Sequence, residues 1–161
     1  MRRVYLITGA SGTLGTALCR RLASSHDVIA CYRNNVPAVP SQLMEPCDPN
    51  LGPYRTQKQS MAGSGETAGS VLCVRADLTN RADVERLVEV AIARYGQVDV
   101  LINSAADLTF YGHLVDLWQS DGYPALQLSL NCITPVLLAS ALFHDHWKDQ
   151  PVENAARNRN V

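Results

Sequence analysis

The stretch Thr8-Gly9-Ala10-Ser11-Gly12-Thr13-Leu14-Gly15 constrains this chain more than any other. Before it, Arg3 to Thr8 carries Val-Tyr-Leu-Ile, the β-branched and aromatic composition of a buried strand. After it, Leu14, Ala17, Leu18, Arg21 and Leu22 recur at helical spacing. Ser24-Ser25-His26-Asp27 breaks that helix, and Val28-Ile29-Ala30-Cys31-Tyr32 makes a second apolar run. Strand, glycine turn, helix and strand within about 30 residues form a βαβ unit, which implies a parallel sheet. Glycines so placed bend the backbone sharply and let it approach a pyrophosphate closely. The helix that follows offers unpaired N–H groups and a positive dipole end. The same glycines would also serve a purely structural turn, and the residues alone leave that alternative open.

The remaining segments extend the pattern within one domain over residues 1–161. Val36 to Ser70, rich in Pro, Gly, Ser and Gln, shows no sustained period, so 36–70 is predicted as a flexible insert loop. Val71-Leu72-Cys73-Val74 is a third strand. Asn80 to Tyr95 is the clearest helix, with Val84, Leu87, Val88, Ala91, Ile92 and Tyr95 on one face. Asn80 with Asp83 offers an N-cap pair, and Gly96 stops the helix. Val98 to Ile102 is a fourth strand. Tyr123 to Trp147 is a long apolar helix, with Pro124 in its first turn and Pro135 expected to kink its middle.

Composition excludes several classes. Apolar residues make up 47% and charged residues 18%, which is globular rather than disordered. A net charge of -1 points to neither nucleic acid nor an anionic membrane as partner. Uninterrupted apolar runs are too short for a bilayer, and Met1-Arg2-Arg3 leads directly into the first strand without a signal sequence. Cys19, Cys31, Cys47, Cys73 and Cys132 are odd in number and scattered, so free thiols in a reducing cytoplasm are expected. No metal site is expected. His144 and His146 lie on different sides of a helix, and His26 and His113 are lone loop residues.

At the glycine turn the chain resembles the short-chain dehydrogenase/reductase family, whose coenzyme turn pairs Thr-Gly-Ala-Ser with a Gly-x-x-Gly ending. Three further segments agree in order. Asp77-Leu78 resembles the family's aspartate-apolar pair beside the adenine. Asn103-Ser104-Ala105-Ala106 resembles its Asn-Asn-Ala-Gly turn. Asn131 falls where the family carries an asparagine that supports the catalytic lysine through water. The resemblance implies an α/β, Rossmann-like doubly wound parallel sheet of strand order 3-2-1-4, incomplete at its C-terminal side. It implies cofactor contacts from Gly9, Ser11, Gly12, Thr13, Leu14, Gly15, Asp77, Leu78, Asn103, Ser104 and Ala105. It also implies hydride transfer between a nicotinamide cofactor and a small-molecule carbonyl or alcohol, in a homo-oligomer.

Departures from the family pattern are equally specific. Thr13 stands at the middle-glycine position of the compact branch, while Gly12 gives the spacing of the extended branch. Ala106 replaces a glycine. An extended-branch epimerase or reductase is a weaker alternative, because Asn103 and Asn131 favour the compact branch. At the end of the second strand, Cys31-Tyr32-Arg33-Asn34 contains no acid for the adenosine ribose. Arg33 offers a planar cation suited to a 2′-phosphate, so NADP is expected over NAD.

The resemblance also implies a serine and a Tyr-x-x-x-Lys pair after Asn131, and these are not found. Tyr54 and Lys58 have the spacing but precede the third strand, behind Pro53, and are read as coincidence. Ser11 is expected to donate to phosphate rather than act as a nucleophile, and Asp99 to pair locally. Arg157 to Val161 reads as the beginning of a fifth strand. The expectation is therefore a truncated oxidoreductase chain. The alternative is a catalytically silent NAD(P)-binding or interaction module.

Overall fold

A computed structural model describes residues 2–39, 44–47, 69–109, 113, 115–116 and 123–149. Its strands are β1 (Val4–Thr8), β2 (Asp27–Tyr32), β3 (Met44–Cys47), β4 (Val71–Arg75) and β5 (Val100–Asn103). All pairings are parallel, in the order β3-β4-β2-β1-β5. Without β3 this is the 3-2-1-4 order expected for a doubly wound sheet. Within the stretch 36–70 read as a flexible insert loop, Met44–Cys47 adds a strand at the sheet edge. Pro46 lies within it, and an edge is where a strand tolerates proline. The rest of the insert, the Tyr54/Lys58 pair and the expected fifth strand at 157–161 lie outside the described residues.

Alternation along the strands divides the core into two layers. Ile7, Val28, Ala30, Val71 and Cys73 face α1 (Thr13–Leu22). Leu6, Ile29, Cys31, Leu72 and Val74 face the opposite layer. That layer contains α2 (Arg81–Tyr95), which buries Val84, Leu87, Val88, Val90 and Ala91. These strands are covered on both faces, which is why they read as continuous apolar runs.

Helix α1 buries its small residues rather than its first leucine. Leu14 is 63% exposed, whereas Gly15 and Cys19 are buried, with Leu18 and Leu22 packed at the flank. A Cβ at Gly15 would stand 2.3 Å from the Gly9 carbonyl oxygen, so the first turn of α1 seats against the turn after β1 through its smallest residue. Burial pushes the Cys19 thiol up to about 11, and those of Cys31 and Cys73 up to about 12, so all three stay protonated at neutral pH.

Asn80 caps α2 as expected, its Oδ1 accepting from Ala82 N at 3.0 Å. Asp83 does not complete the reciprocal pair. Its Oδ2 accepts from Asp77 N at 2.8 Å, and its other oxygen pairs with Arg86. The carboxylate satisfies a partly buried N–H leaving β4 instead of reaching back to the cap. Gly96 closes α2 in the left-handed conformation, φ 73°.

The long helix is α3 (Tyr123–Leu128), a π-helical segment at Ser129–Ile133, and α4 (Thr134–Asp145). Pro135 is the second residue of α4, and the irregular turn lies directly before it, where proline removes a hydrogen bond and crowds a carbonyl. Buried Thr134, Leu138 and Leu142 hold α4 on the core, Thr134 Oγ1 donating to Leu78 O at 2.8 Å. Leu128, Ile133, Val136, Leu137 and Phe143 are exposed on it. Pro124–Asp145, 22 residues containing an 18-residue window of mean hydropathy 1.6, is long and apolar enough to cross a membrane by length and composition.

The end of the sheet where β1 and β5 begin is closed by specific polar contacts. Asp99 Oδ2 accepts from Val4 N at 2.7 Å and from Gln97 Nε2 at 3.1 Å. Trp147 Nε1 donates to Val98 O at 2.6 Å. Asp99 pairs locally with Gln97, as expected, and also bridges to the Val4 N–H 95 residues away. His144 pairs with neighbouring Asp145, and burial holds His146 below its ordinary pKa against the charge of Asp99.

Candidate functional site

The order of the strands reverses between β1 and β5: β2 and β4 continue away from β1 on one side, β5 lies on the other. A doubly wound sheet opens a crevice at the carboxyl ends of its strands at such a switch point. Here that crevice is a cavity of about 300 Å³.

The glycine turn forms its floor. Gly9 has φ +63°, a conformation strained for any residue with a Cβ. A Cβ at Gly9 would stand 2.6 Å from Ala105 N and from Ser104 O, because the turn after β1 packs directly on the turn after β5. Thr8 joins the two turns: its buried Oγ1 accepts from Ser104 N and Ala105 N, both at 3.1 Å. Gly12 begins α1 with no side-chain cap, and the first turn of α1 carries no acid. The positive end of a ten-residue helix therefore faces the crevice without a side-chain anion of its own.

The walls come from the neighbouring strand ends. Arg33, Asn34 and Asn35 follow β2; Ala76, Asp77 and Leu78 follow β4; Ser104, Ala105 and Ala106 follow β5; Leu130 approaches from the π-helical segment. Burial would raise the Asp77 carboxyl, but hydrogen bonds from Thr79 Oγ1 at 2.7 Å and Thr79 N at 3.0 Å, with the charge of Arg33, hold it below the ordinary range. The carboxylate is thus ionised and fixed at the rim. Leu78, 7% exposed, supplies an apolar surface against which a flat ring can pack.

Of the residues expected at the site, Gly9, Ser11, Gly12, Arg33, Asp77, Leu78, Ser104 and Ala105 line this cavity. Thr13, Leu14, Gly15, Asn103 and Asn131 are not among its lining residues. Thr13 and Leu14 belong to the first turn of α1, Gly15 is buried behind it, and Asn103 is paired with Thr8 across β1 and β5. Asn131 clamps the chain beyond the β5 turn, its Oδ1 accepting from Asp107 N at 2.8 Å and its Nδ2 donating to Asp107 O at 2.9 Å. The widened helical turn around Asn131 thus fixes one crevice wall. Ala106, expected at the same turn as Ser104 and Ala105, lines the crevice too, as do Cys31, Tyr32, Asn34, Asn35, Ala76 and Leu130, which were not anticipated. Tyr32 and Asn34 flank Arg33, so the position of the strand end was the available signal for them. Among the described residues no three His, Cys, Asp or Glu side chains gather as metal ligands.

A turn of this geometry can accept a phosphate, and Leu78 beside it offers an apolar face to a flat ring. The family profile for short chain dehydrogenase matches residues 47–150, well over half of the sequence. The chain belongs to the short-chain dehydrogenase/reductase family. It is 31% identical over 120 residues to acetoacetyl-CoA reductase from Acinetobacter sp. (strain RA3849), covering 73% of this chain and 42% of that protein. Among solved structures of the family, the NADH-dependent reductase A1-R′ complexed with NAD superposes with a TM-score of 0.64 at 25% identity, over 89% of this chain and 52% of that one. A short-chain dehydrogenase/reductase from Burkholderia xenovorans gives 0.61 at 29% identity, over 88% and 50%. The chain spans about half the length, or less, of these family members.

Proposed function

We propose that the crevice binds NADP(H), with NAD(H) as the weaker ligand, and that the chain is the cofactor-binding part of an oxidoreductase. In the complete enzyme, hydride would pass between the nicotinamide and a small-molecule carbonyl or alcohol. The observation that carries this reading is the uncapped N-terminus of α1 behind Gly9 and Gly12, opening on the same crevice as Arg33 and Asp77. The turn would take the pyrophosphate, Leu78 and Asp77 the adenine side, and Arg33 the 2′-phosphate. When bound, the cofactor supplies the hydride chemistry. The family's Ser and Tyr-x-x-x-Lys positions are not matched in this sequence, and proton transfer to substrate is assigned to the complete enzyme. Kinship with reductases, one of them crystallised with NAD, supports the cofactor class. A cytoplasmic setting and self-association through the exposed apolar residues of α4 belong to the same proposal.

Titration of NADPH and NADH into the folded chain, followed by nicotinamide fluorescence, tests the reading. NADPH is expected to bind about tenfold or more tightly, the scale of one charge-assisted hydrogen bond of roughly 1.5–3 kcal/mol. Arg33→Gln should bring the two affinities together. Gly12→Val should abolish binding of both while leaving the circular dichroism unchanged, since a Cβ there meets only Gly9 O, at 3.3 Å. Equal affinities in the unaltered chain would reject the role of Arg33, and no binding by folded protein would reject the cofactor.

A further inference from the structure

Beside the nucleotide crevice lies a second opening that shares Arg33, Asn34 and Asp77 with it and adds Arg75 and Asp83. Arg75 is the last residue of β4 and is paired with Tyr32 across the β2–β4 ladder. The ladder continues one step further, Ala76 N donating to Tyr32 O at 2.9 Å. Arg33 and Arg75 therefore leave neighbouring strand ends side by side. Both are exposed, and Arg75 Nε donates to the Arg33 carbonyl at 3.2 Å. A guanidinium has five donors in a fixed plane, enough to hold a backbone carbonyl and reach an anion as well.

Two acids line the same opening, and each has its own partners. Asp77 accepts from Thr79 N and Oγ1. Asp83 accepts from Asp77 N and pairs with Arg86. Both carboxylates are hydrogen-bonded within the β4–α2 connection, and Asp77 is also stabilised by the charge of Arg33; the two arginines line the side of the opening formed by the ends of β2 and β4.

We propose that Arg75 is a second specificity-determining residue for the 2′-phosphate of NADP(H), bracing the Arg33 backbone and adding a second cation to the phosphate subsite. This rests on the cofactor reading above and extends it by one residue. A two-armed subsite makes a sharper prediction than Arg33 alone: loss of either arm weakens the phosphorylated ligand and spares the unphosphorylated one.

The probes are adenosine 2′,5′-bisphosphate and adenosine 5′-monophosphate, titrated calorimetrically into the full chain. The unaltered chain should prefer the bisphosphate. Arg75→Gln should weaken the bisphosphate about tenfold and change the monophosphate less than about twofold, as expected for one charged hydrogen-bonding arm. Arg75→Lys keeps the charge without the Nε donor and should fall between Arg75→Gln and the unaltered chain. An equal fall for both ligands in Arg75→Gln would show a merely structural role and overturn the proposal. An unchanged bisphosphate affinity in Arg75→Gln, with a fall in Arg33→Gln, would also overturn it while sparing the assignment of Arg33. No preference for the bisphosphate in the unaltered chain would overturn both.

Discussion

Gly9→Val is expected to cost the chain most of its stability along with its nucleotide binding. The position combines two demands that only glycine meets. Its φ of +63° costs a residue with a Cβ about 1–2 kcal/mol. A β-carbon would also overlap three backbone atoms of Ser104 and Ala105, at 2.6, 2.6 and 2.7 Å. Backbone cannot rotate aside as a long side chain can, so the turns after β1 and β5 must separate. Separation would stretch both hydrogen bonds to Thr8 Oγ1. Strain of this kind costs about 1–3 kcal/mol, and with the φ cost and two lost hydrogen bonds of about 0.5–1.5 kcal/mol each the sum is about 3–8 kcal/mol, a large part of the roughly 5–15 kcal/mol that holds a domain together. Denaturant unfolding of Gly9→Val beside Gly12→Val checks this. Gly9→Val should lose most of its unfolding midpoint and Gly12→Val little. Equal midpoints would mean that the two turns do not pack as described.

Trp147→Ala is the second large effect, at the opposite end of the sheet. Trp147 is 8% exposed and packs in the cluster that includes Val98, Leu138 and Leu142. Truncating a buried tryptophan costs about 3–5 kcal/mol through lost burial and the cavity left behind. Its Nε1 also serves the Val98 carbonyl at 2.6 Å, next to the Asp99 carboxylate that takes Val4 N. Trp147→Phe separates these contributions: it keeps most of the ring volume and loses the hydrogen bond, for about 1 kcal/mol. Urea midpoints should therefore fall slightly for Trp147→Phe and steeply for Trp147→Ala. A change below about 1 kcal/mol in Trp147→Ala would show that the segment after α4 is not docked on the sheet.

The parts of this fold that could be read from the sequence are those set by local rules. The βαβ unit and the Asn80 and Gly96 ends of α2 depend on periodicity, capping and chain direction, all carried by adjacent residues, whereas the strand order 3-2-1-4 came with the family resemblance. What escaped depends on neighbours distant in the chain. Met44–Cys47 is short and contains Pro46, so nothing local marks it as a strand; only the free edge of β4 makes it one. The helical spacing of Leu14, Leu18 and Leu22 located α1 but did not show that Gly15 and Cys19 are its buried residues, because the start of the helix packs on the turn at Gly9 and Ala10.

At the site, the glycine turn, Arg33, Asp77-Leu78 and Ser104-Ala105 were legible because each follows the end of a strand. The hydroxyl of Thr8 and the two-point clamp of Asn131 on Asp107 were not. Both bridge segments more than twenty residues apart, and no local pattern distinguishes a threonine that ties two turns together from one that ends a strand.

The central claim is that this crevice holds a dinucleotide by its phosphate-binding turn. Mapping amide chemical-shift changes on addition of NADPH tests it most directly. The account predicts saturable changes gathered at Gly9 to Gly15, Arg33 to Asn35, Arg75 to Leu78 and Ser104 to Ala106, with α2 beyond its first turn unmoved. Changes centred elsewhere, or none in a chain whose spectrum shows it folded, would contradict it.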